Sequence, residues 1–378
     1  MSEMRKIKDF FELNPSKNTN NYTDYINYID TSSVTKGILY DITYLDGNFP
    51  SRANRCVKYD DILYSSVRPN LRHYYHYKLN YENVVASTGY VLLRNKNKEL
   101  YSSKFLYYFL GTDSVVNYLS NIAELSQSTF PSFSAKDLGK IELPAFDFID
   151  QEKIADILTT YDSLIENNNK RIKLLEQIAE NLYKEWFVRF RFPGYEDVKF
   201  ESGIPKDWEY TKLERLANIS TGKCNREDAE EDGAYPLFDR SQEIKRSNVW
   251  LKDCEAIIVP GEGTSFIPRY YNGKFNLHQR CYCVEPLEKG MGFFLYQTLM
   301  MYRIYFLYVA TGATVPSLRL NNFKDFKVLL PKKELCFQYN EIVEKMNDEI
   351  LLLKNKNELL AKQQDLLLPR LMSGKLEV

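Results

Sequence analysis

The stretch Leu158-Thr159-Thr160-Tyr161-Asp162-Ser163-Leu164-Ile165 opens a pattern that decides how this chain is built. Leu158, Ile165, Ile172, Ala179 and Trp186 recur at every seventh position, and Ile154, Tyr161, Asn168, Leu175 and Leu182 recur on the complementary seam. A helix turning every 3.6 residues keeps such positions on one face, so nearly five unbroken heptads predict a long coiled-coil helix. A second run has the same form. Met346, Leu353, Leu360 and Leu367 make one seam, and Val343, Ile350, Asn357 and Gln364 the other. Leu352, Leu359 and Leu366 widen this second stripe toward another partner surface. Each seam carries one Asn, a residue that costs stability in a helix seam and fixes register. Phe192-Pro193-Gly194 is expected to end the first helix, and Pro369 with Ser373-Gly374 the second.

Outward from the helices, the chain repeats itself. Phe130-Pro131-Ser132-Phe133, Leu143-Pro144 and Gln151 return as Val315-Pro316-Ser317-Leu318, Leu330-Pro331 and Gln338. Phe105-Leu106-Tyr107 echoes Phe294-Leu295-Tyr296, and Asp60-Asp61-Ile62-Leu63 loosely matches 254–258. A period of half the chain means a duplicated domain, not a solenoid. Strands are predicted at 83–86 and 255–259, and amphipathic helices around 105–119 and 292–307. The expected fold is therefore α+β. Two similar mixed domains, 1–146 and 190–333, are separated by spacer helices 147–189 and 334–378 that pair antiparallel with approximate two-fold symmetry.

Composition narrows the function classes. Of 378 residues, 44% are hydrophobic and 27% charged, which suits packed cores. Fifty basic residues against 51 acidic ones exclude a chain-wide basic coat while leaving room for local basic patches. No run approaches the roughly 18 apolar residues of a membrane span, no signal-like stretch follows Met1, and six scattered Cys make no disulfide scaffold. The expectation is a soluble cytoplasmic protein. Chemistry is hard to find in it. Cys281 and Cys283 lack a second pair of ligands and read as alternate residues of a buried strand, so no metal is expected. Gly222-Lys223 lacks the rest of a phosphate loop, and Asn14-Pro15-Ser16-Lys17 lacks the second Pro and aromatic of an amino-methyltransferase loop. No catalytic residue and no cofactor are expected.

Two stretches suit DNA. In 65–78, Ser66, Arg68, Asn70, Arg72, His73, Tyr75 and Lys78 stand together with no acid among them. In 263–274, Thr264, Ser265, Arg269, Tyr270, Asn272 and Lys274 do the same. Arg and Asn can pair bidentately with guanine and adenine edges, while Lys, Ser and Tyr hold phosphates. A solvated hairpin with inward tyrosines is the alternative for either stretch. A helix of about 36 residues spans roughly 54 Å, and DNA readers work in pairs on half-sites about 34–36 Å apart. Two unlike domains on such a rod fit an asymmetric, gapped DNA target.

These features resemble the specificity subunits of type I restriction-modification systems. Gly203-Ile204-Pro205-Lys206-Asp207-Trp208, then Leu213, Leu216 and Ser220-Thr221-Gly222-Lys223, looks like the opening of a target recognition domain. Residues 61–70 are similar to its central motif, 151–187 to its central spacer, and 366–376 to the tail of its second spacer. The amino-terminal half departs from the pattern: it lacks the Gly-x-Pro-x-x-Trp opening and begins near Lys6 to Leu13, leaving its first strand open. The resemblance implies a non-catalytic subunit that reads a split DNA sequence. Leu158, Ile165, Asn168, Ile172 and Leu175 would pack against Ile350, Leu353, Asn357, Leu360 and Leu367 as the spacer. It also implies two copies of an adenine-methylating modification subunit and restriction subunits as partners. A subunit standing alone could self-associate through its apolar helix stripe. A coiled-coil scaffold without DNA contact, or a self-contained methyltransferase or nuclease, are the competing readings.

Overall fold

The heptad runs do form helices. In the computed structural model, which describes residues 5–15, 24–126, 130–312 and 314–378, the chain forms two compact units. The first comprises residues 1–167 and 356–378, the second 168–355. Of Asn14-Pro15-Ser16-Lys17, the last two lie outside the described residues.

The main strands of the first unit, beside a small Val34–Thr35/Ile38–Leu39 pair, are β1 (Phe11–Leu13), β2 (Tyr25–Ile29), β3 (Thr43–Asp46), β4 (Ala53–Cys56), β5 (Ile62–Ser65), β6 (Tyr74–His76), β7 (Val84–Ser87) and β8 (Tyr90–Asn95). They make two four-stranded sheets, ordered β1-β8-β5-β6 and β3-β2-β7-β4. β1 is the strand left open by the missing Gly-x-Pro-x-x-Trp motif; Phe11 pairs with Asn95 and Leu13 with Leu93.

The second unit has β9 (Glu209–Lys212), β10 (Ala217–Thr221), β11 (Tyr235–Phe238), β12 (Lys245–Ser247), β13 (Lys252–Pro260), β14 (Arg269–Leu277), β15 (Cys281–Pro286) and β16 (Lys327–Leu330). Six of these form one sheet, β10-β15-β13-β14-β11-β12, while β9 pairs with β16. β14 runs unbroken for nine residues where the first unit leaves the sheet between β6 and β7, which is why one unit has one large sheet and the other two smaller ones. Cys281 and Cys283 are both buried on β15, as alternation on a covered strand requires. Trp208, from the motif that resembles a domain opening, is a core residue stacked on Phe192 at 5.3 Å.

Each single helix expected after the strands is instead two. Ser103–Leu110 (α1) and Asp113–Glu124 (α2) break at Gly111, whose hydrogen faces the Tyr74 hydroxyl so closely that a Cβ would lie 2.6 Å from it. Gly292–Met301 and Arg303–Val309 break at Tyr302.

The long helices are α3 (Phe148–Tyr183, extended by one wide turn, Lys184–Val188) and α6 (Lys333–Met372), with the short α4 (Gly292–Met301) and α5 (Arg303–Val309) between them in sequence. Pro369 does not stop α6. It sits one turn from the end, where its missing N–H forfeits a single helical bond. Termination falls to Gly374 at φ +68°, beside which Lys375 N–H donates to Arg370 O at 3.1 Å.

Within each unit the two helices run antiparallel, since partner numbers fall as the first rise. In the first unit Gln364 donates to Leu158 O at 3.2 Å and to Asp162 at 2.7 Å, while Leu371 shares the core of Leu158. In the second unit Ile172 and Leu175 cluster with Ile350 and Leu353, while further along Tyr339 donates to Ala179 O at 3.0 Å. Of the other expected seam residues, Asn168 is buried, and Ile165, Asn357, Leu360 and Leu367 are half-buried. Leu352, Leu359 and Leu366 are exposed. No helix among the described residues is long and apolar enough to cross a membrane.

Leu353→Ala removes a fully buried side chain from the smallest of these cores and should cost about 2–5 kcal/mol, read as a lowered denaturation midpoint. Leu352→Ala, one position away on the exposed face, should stay within about 0.5 kcal/mol.

Candidate nucleic-acid interface

Both units build the same backbone frame around the stretches that suit DNA. After β5, Ser66 N–H donates to Gly89 O (2.8 Å), Arg68 N–H to Pro131 O (2.9 Å), and Phe133 N–H to Ser66 O (3.1 Å). After β13, Gly261 N–H donates to Arg280 O (2.8 Å), Gly263 N–H to Pro316 O (3.1 Å), and Leu318 N–H to Gly261 O (2.8 Å). The repeated Pro-Ser segments are thus short strands that clamp the two loops. The frame fixes an equivalence: Arg68 stands where Gly263 does, Val67 where Glu262 does, Gly89 where Arg280 does. Two left-handed residues bend each loop, Arg68 and Arg72 in one, Gly263 and Phe266 in the other.

On this frame the expected DNA-contacting residues separate into two groups. Arg68, Asn70 and Lys78 are exposed, with the Arg68 guanidinium 5.7 Å over the Phe130 ring. Thr264, Ser265, Asn272 and Lys274 are exposed in the second unit, Lys274 lying 5.0 Å over Trp250. The others are occupied with structure. Ser66 hydroxyl donates to Gly89 O at 3.0 Å, and Arg72 holds Gly111 O (2.8 Å) and Asp113 across to the start of α2. Tyr75 is half-buried against the ring of Tyr77, and His73 is half-buried. Arg269 turns inward: its two terminal nitrogens donate to Ser241 O (2.9 Å) and Asp239 O (2.6 Å), and its plane covers Phe238. Tyr270 donates to Glu255 at 2.8 Å and stacks on Phe293 at 4.1 Å. The stretch expected as a loop at 263–274 is in fact half strand, β14, so its side chains alternate between faces.

Sequence reasoning missed one cluster. In the second unit a cleft of about 290 Å³ opens beside Gly263, and Glu262 at its edge binds Arg240 (2.6 Å) and Arg280 through separate oxygens. These three residues are 22 and 18 positions apart and belong to no motif, so only the fold brings them together.

Beneath each loop lies an equivalent buried polar pair. His76 Nε2 is 2.8 Å from Asp60 in the first unit, where the second has Tyr270 on Glu255. Burial lowers the His76 pKa below its ordinary 6.5, and Lys78 and Lys104 push the same way against the opposing pull of Asp60. Burial would raise Asp60, but hydrogen bonds from His76, Lys98 and Ser103 outweigh it and hold the carboxyl well below the usual carboxylate range. In the second unit burial raises the Glu255 carboxyl. Among the described residues, no group of three His, Cys, Asp or Glu side chains is placed to hold a metal ion.

The profile of the family described as "Type I restriction modification DNA specificity domain" matches residues 1–177 and again 205–362. The chain belongs to that family. Among similar specificity proteins, the type I restriction enzyme MjaIX specificity subunit of Methanocaldococcus jannaschii is 26% identical, over 73% of this chain and 69% of its own. The HindI specificity subunit of Haemophilus influenzae is 23% identical over 87% and 89%. The fold is that of the S subunit of a type I restriction-modification system from M. genitalium, with a TM-score of 0.62 at 17% identity, covering 97% of this chain and 95% of that one.

The His76–Asp60 pair gives this specificity chain an acid-sensitive core. Below pH 6.5 an unfolded His76 takes a proton that the folded one resists, and below 3.8 an unfolded Asp60 does likewise. Both make the unfolded state the better proton binder, so stability falls as pH falls. Melting temperature should drop as pH falls below about 6.5. His76→Tyr, the residue standing at the equivalent place in the second unit, should flatten that decline.

Proposed function

We propose that this chain is the non-catalytic, cytoplasmic DNA-reading subunit of a type I restriction-modification assembly. Each unit reads one half of an asymmetric, gapped DNA site. The observation that carries this reading is the frame itself: two family matches fall on two units that repeat the same clamped loop while presenting different exposed side chains. A common frame with unlike side chains suits two half-sites of unlike sequence. Arg68, Asn70 and Lys78 are the contacts proposed for the first half-site, and Thr264, Ser265, Asn272 and Lys274 for the second. Ser66, Arg72, His73, Tyr75, Arg269 and Tyr270 are given the task of shaping the loops.

Helices α3 and α6 are the spacer in this reading. At 1.5 Å per residue, 36 and 40 residues measure about 54 and 60 Å, so a change in their length alters the reach between readers. Leu352, Leu359 and Leu366 support partner docking, because three exposed leucines at seven-residue spacing form an apolar line along one helix. The partners proposed are two copies of an adenine-methylating subunit, with restriction subunits added to them. The coiled-coil scaffold without DNA contact has no specific observation in its favour.

Three measurements check this. Arg68→Ala should relax or abolish recognition of one half-site while the other is kept, read by methylation-sensitive sequencing; equal loss at both would sink the loop assignment. Adding one turn to both long helices should widen the recognised gap with unchanged half-sites. Leu352→Glu with Leu359→Glu should reduce co-purification of the modification subunit at least tenfold without lowering the melting temperature of the isolated chain.

A further inference from the structure

We propose that Arg240 and Arg280, carried on Glu262 at the edge of the second unit's cleft, read guanine in the second half-site. The inference rests on the DNA-reading function proposed above and names residues outside the two stretches that the sequence singled out.

Three loops converge at this place: the one after β11, the one after β13 and the turn before β15. Glu262 is the least exposed of the three, with 11% of its side chain open to solvent, while Arg240 and Arg280 are 45% and 57% open. Each guanidinium meets one oxygen of the carboxylate through Nη1 alone, so its Nε and Nη2 take no part in that bond. A guanidinium so anchored has lost much of its freedom before any ligand arrives, and its rigid fork fits the O6 and N7 acceptors of guanine bidentately. The cleft of about 290 Å³ beside the trio is lined by Arg240 and Glu262 together with Arg226, Asp239, Ser241 and His278, and Arg280 reaches Glu262 from outside that lining.

The first unit shows that the fold does not need this trio. Asp30 and Asp239 are equivalent, each receiving the backbone N–H of a serine two residues on, Ser32 at 3.2 Å and Ser241 at 2.7 Å. β2 runs parallel to β7 as β11 runs parallel to β14, with Ile29 facing Ala86 and Phe238 facing Leu277. By that register Arg240 corresponds to Thr31, Glu262 to Val67 and Arg280 to Gly89. The first unit therefore fills these three positions with uncharged residues: a Cβ on Gly89 would lie 2.7 Å from the Thr31 methyl. An exposed arginine, Arg68 over Phe130, stands instead at the place held by Gly263 and Val315 in the second unit. An ion trio that the scaffold dispenses with in one copy is not explained by folding. Exposed ion pairs also contribute little to stability.

The test uses the assembled complex with its modification subunit and a library of randomised DNA, with the methylated motif read by sequencing. The half-site left intact by Arg68→Ala is the second. Arg240→Lys and Arg280→Lys keep the charge and the Glu262 pairing but lose the two-pronged fork. Each should reduce discrimination at a guanine of that half-site by about tenfold or more. The first half-site and the gap should stay unchanged, and the melting temperature should be unaltered. Glu262→Gln, which frees both arginines, should weaken the same positions. A second half-site without guanine would overturn the inference. So would a uniform loss of methylation with an unchanged motif in both Arg240→Ala and Arg280→Ala, the mark of phosphate contacts. A wild-type complex yielding no two-part motif would overturn the DNA-reading function itself and this inference with it, an outcome distinct from either of the others.

Discussion

The clamp between each loop and its Pro-Ser segment is the constraint on which the remaining structure depends. A loop that presents side chains to a ligand leaves its own amides and carbonyls at risk of going unpaired, and buried unpaired groups are costly. Here a short strand supplies the partners: Pro131 and Phe133 for the loop of Ser66 and Arg68, Pro316 and Leu318 for that of Gly261 and Gly263. All of these are backbone bonds. They hold whatever side chain occupies the position, so the shape of each loop is uncoupled from its chemistry. The same economy explains how Arg72 and Phe266, one polar and one buried, occupy matching left-handed bends.

The long helices were legible in the sequence because a heptad seam is a periodic signal, repeated until chance is a poor account of it. So was the duplication, carried by Pro-Ser pairs that turned out to be the clamps. Local reading failed where position depends on partners far along the chain. Arg269 and Tyr270 looked available beside Thr264 and Ser265, yet strand pairing with Ile258 and Ile257 turns them toward Asp239 and Glu255. Pro369 looked like a helix end, but one lost amide bond near a terminus is a small penalty against the burial of Leu371 and Met372. Arg240, Glu262 and Arg280 could not be singled out at all. Each is an ordinary charged residue in its own neighbourhood.

The division of the chain follows its cores more than its elements. Leu158 of α3 and Leu371 of α6 belong to the same hydrophobic cluster as Phe105 and Leu138 of the first unit. Tyr183 and Trp186, at the other end of α3, belong with Tyr339, Phe294 and Leu318 of the second. Each stretch of paired helix is thus fused to a globular body by shared aromatic and aliphatic packing.

The tight contact of Gly89 with Thr31 has an evolutionary corollary. An arginine cannot enter at 89 unless the methyl at 31 withdraws, and a charge arriving at 31 finds no carboxylate waiting at 67. These three sites can therefore change hands only in concert. New spellings should arise in jumps, as whole sets exchanged together, and intermediates carrying one foreign member should be the rare and poorly working ones.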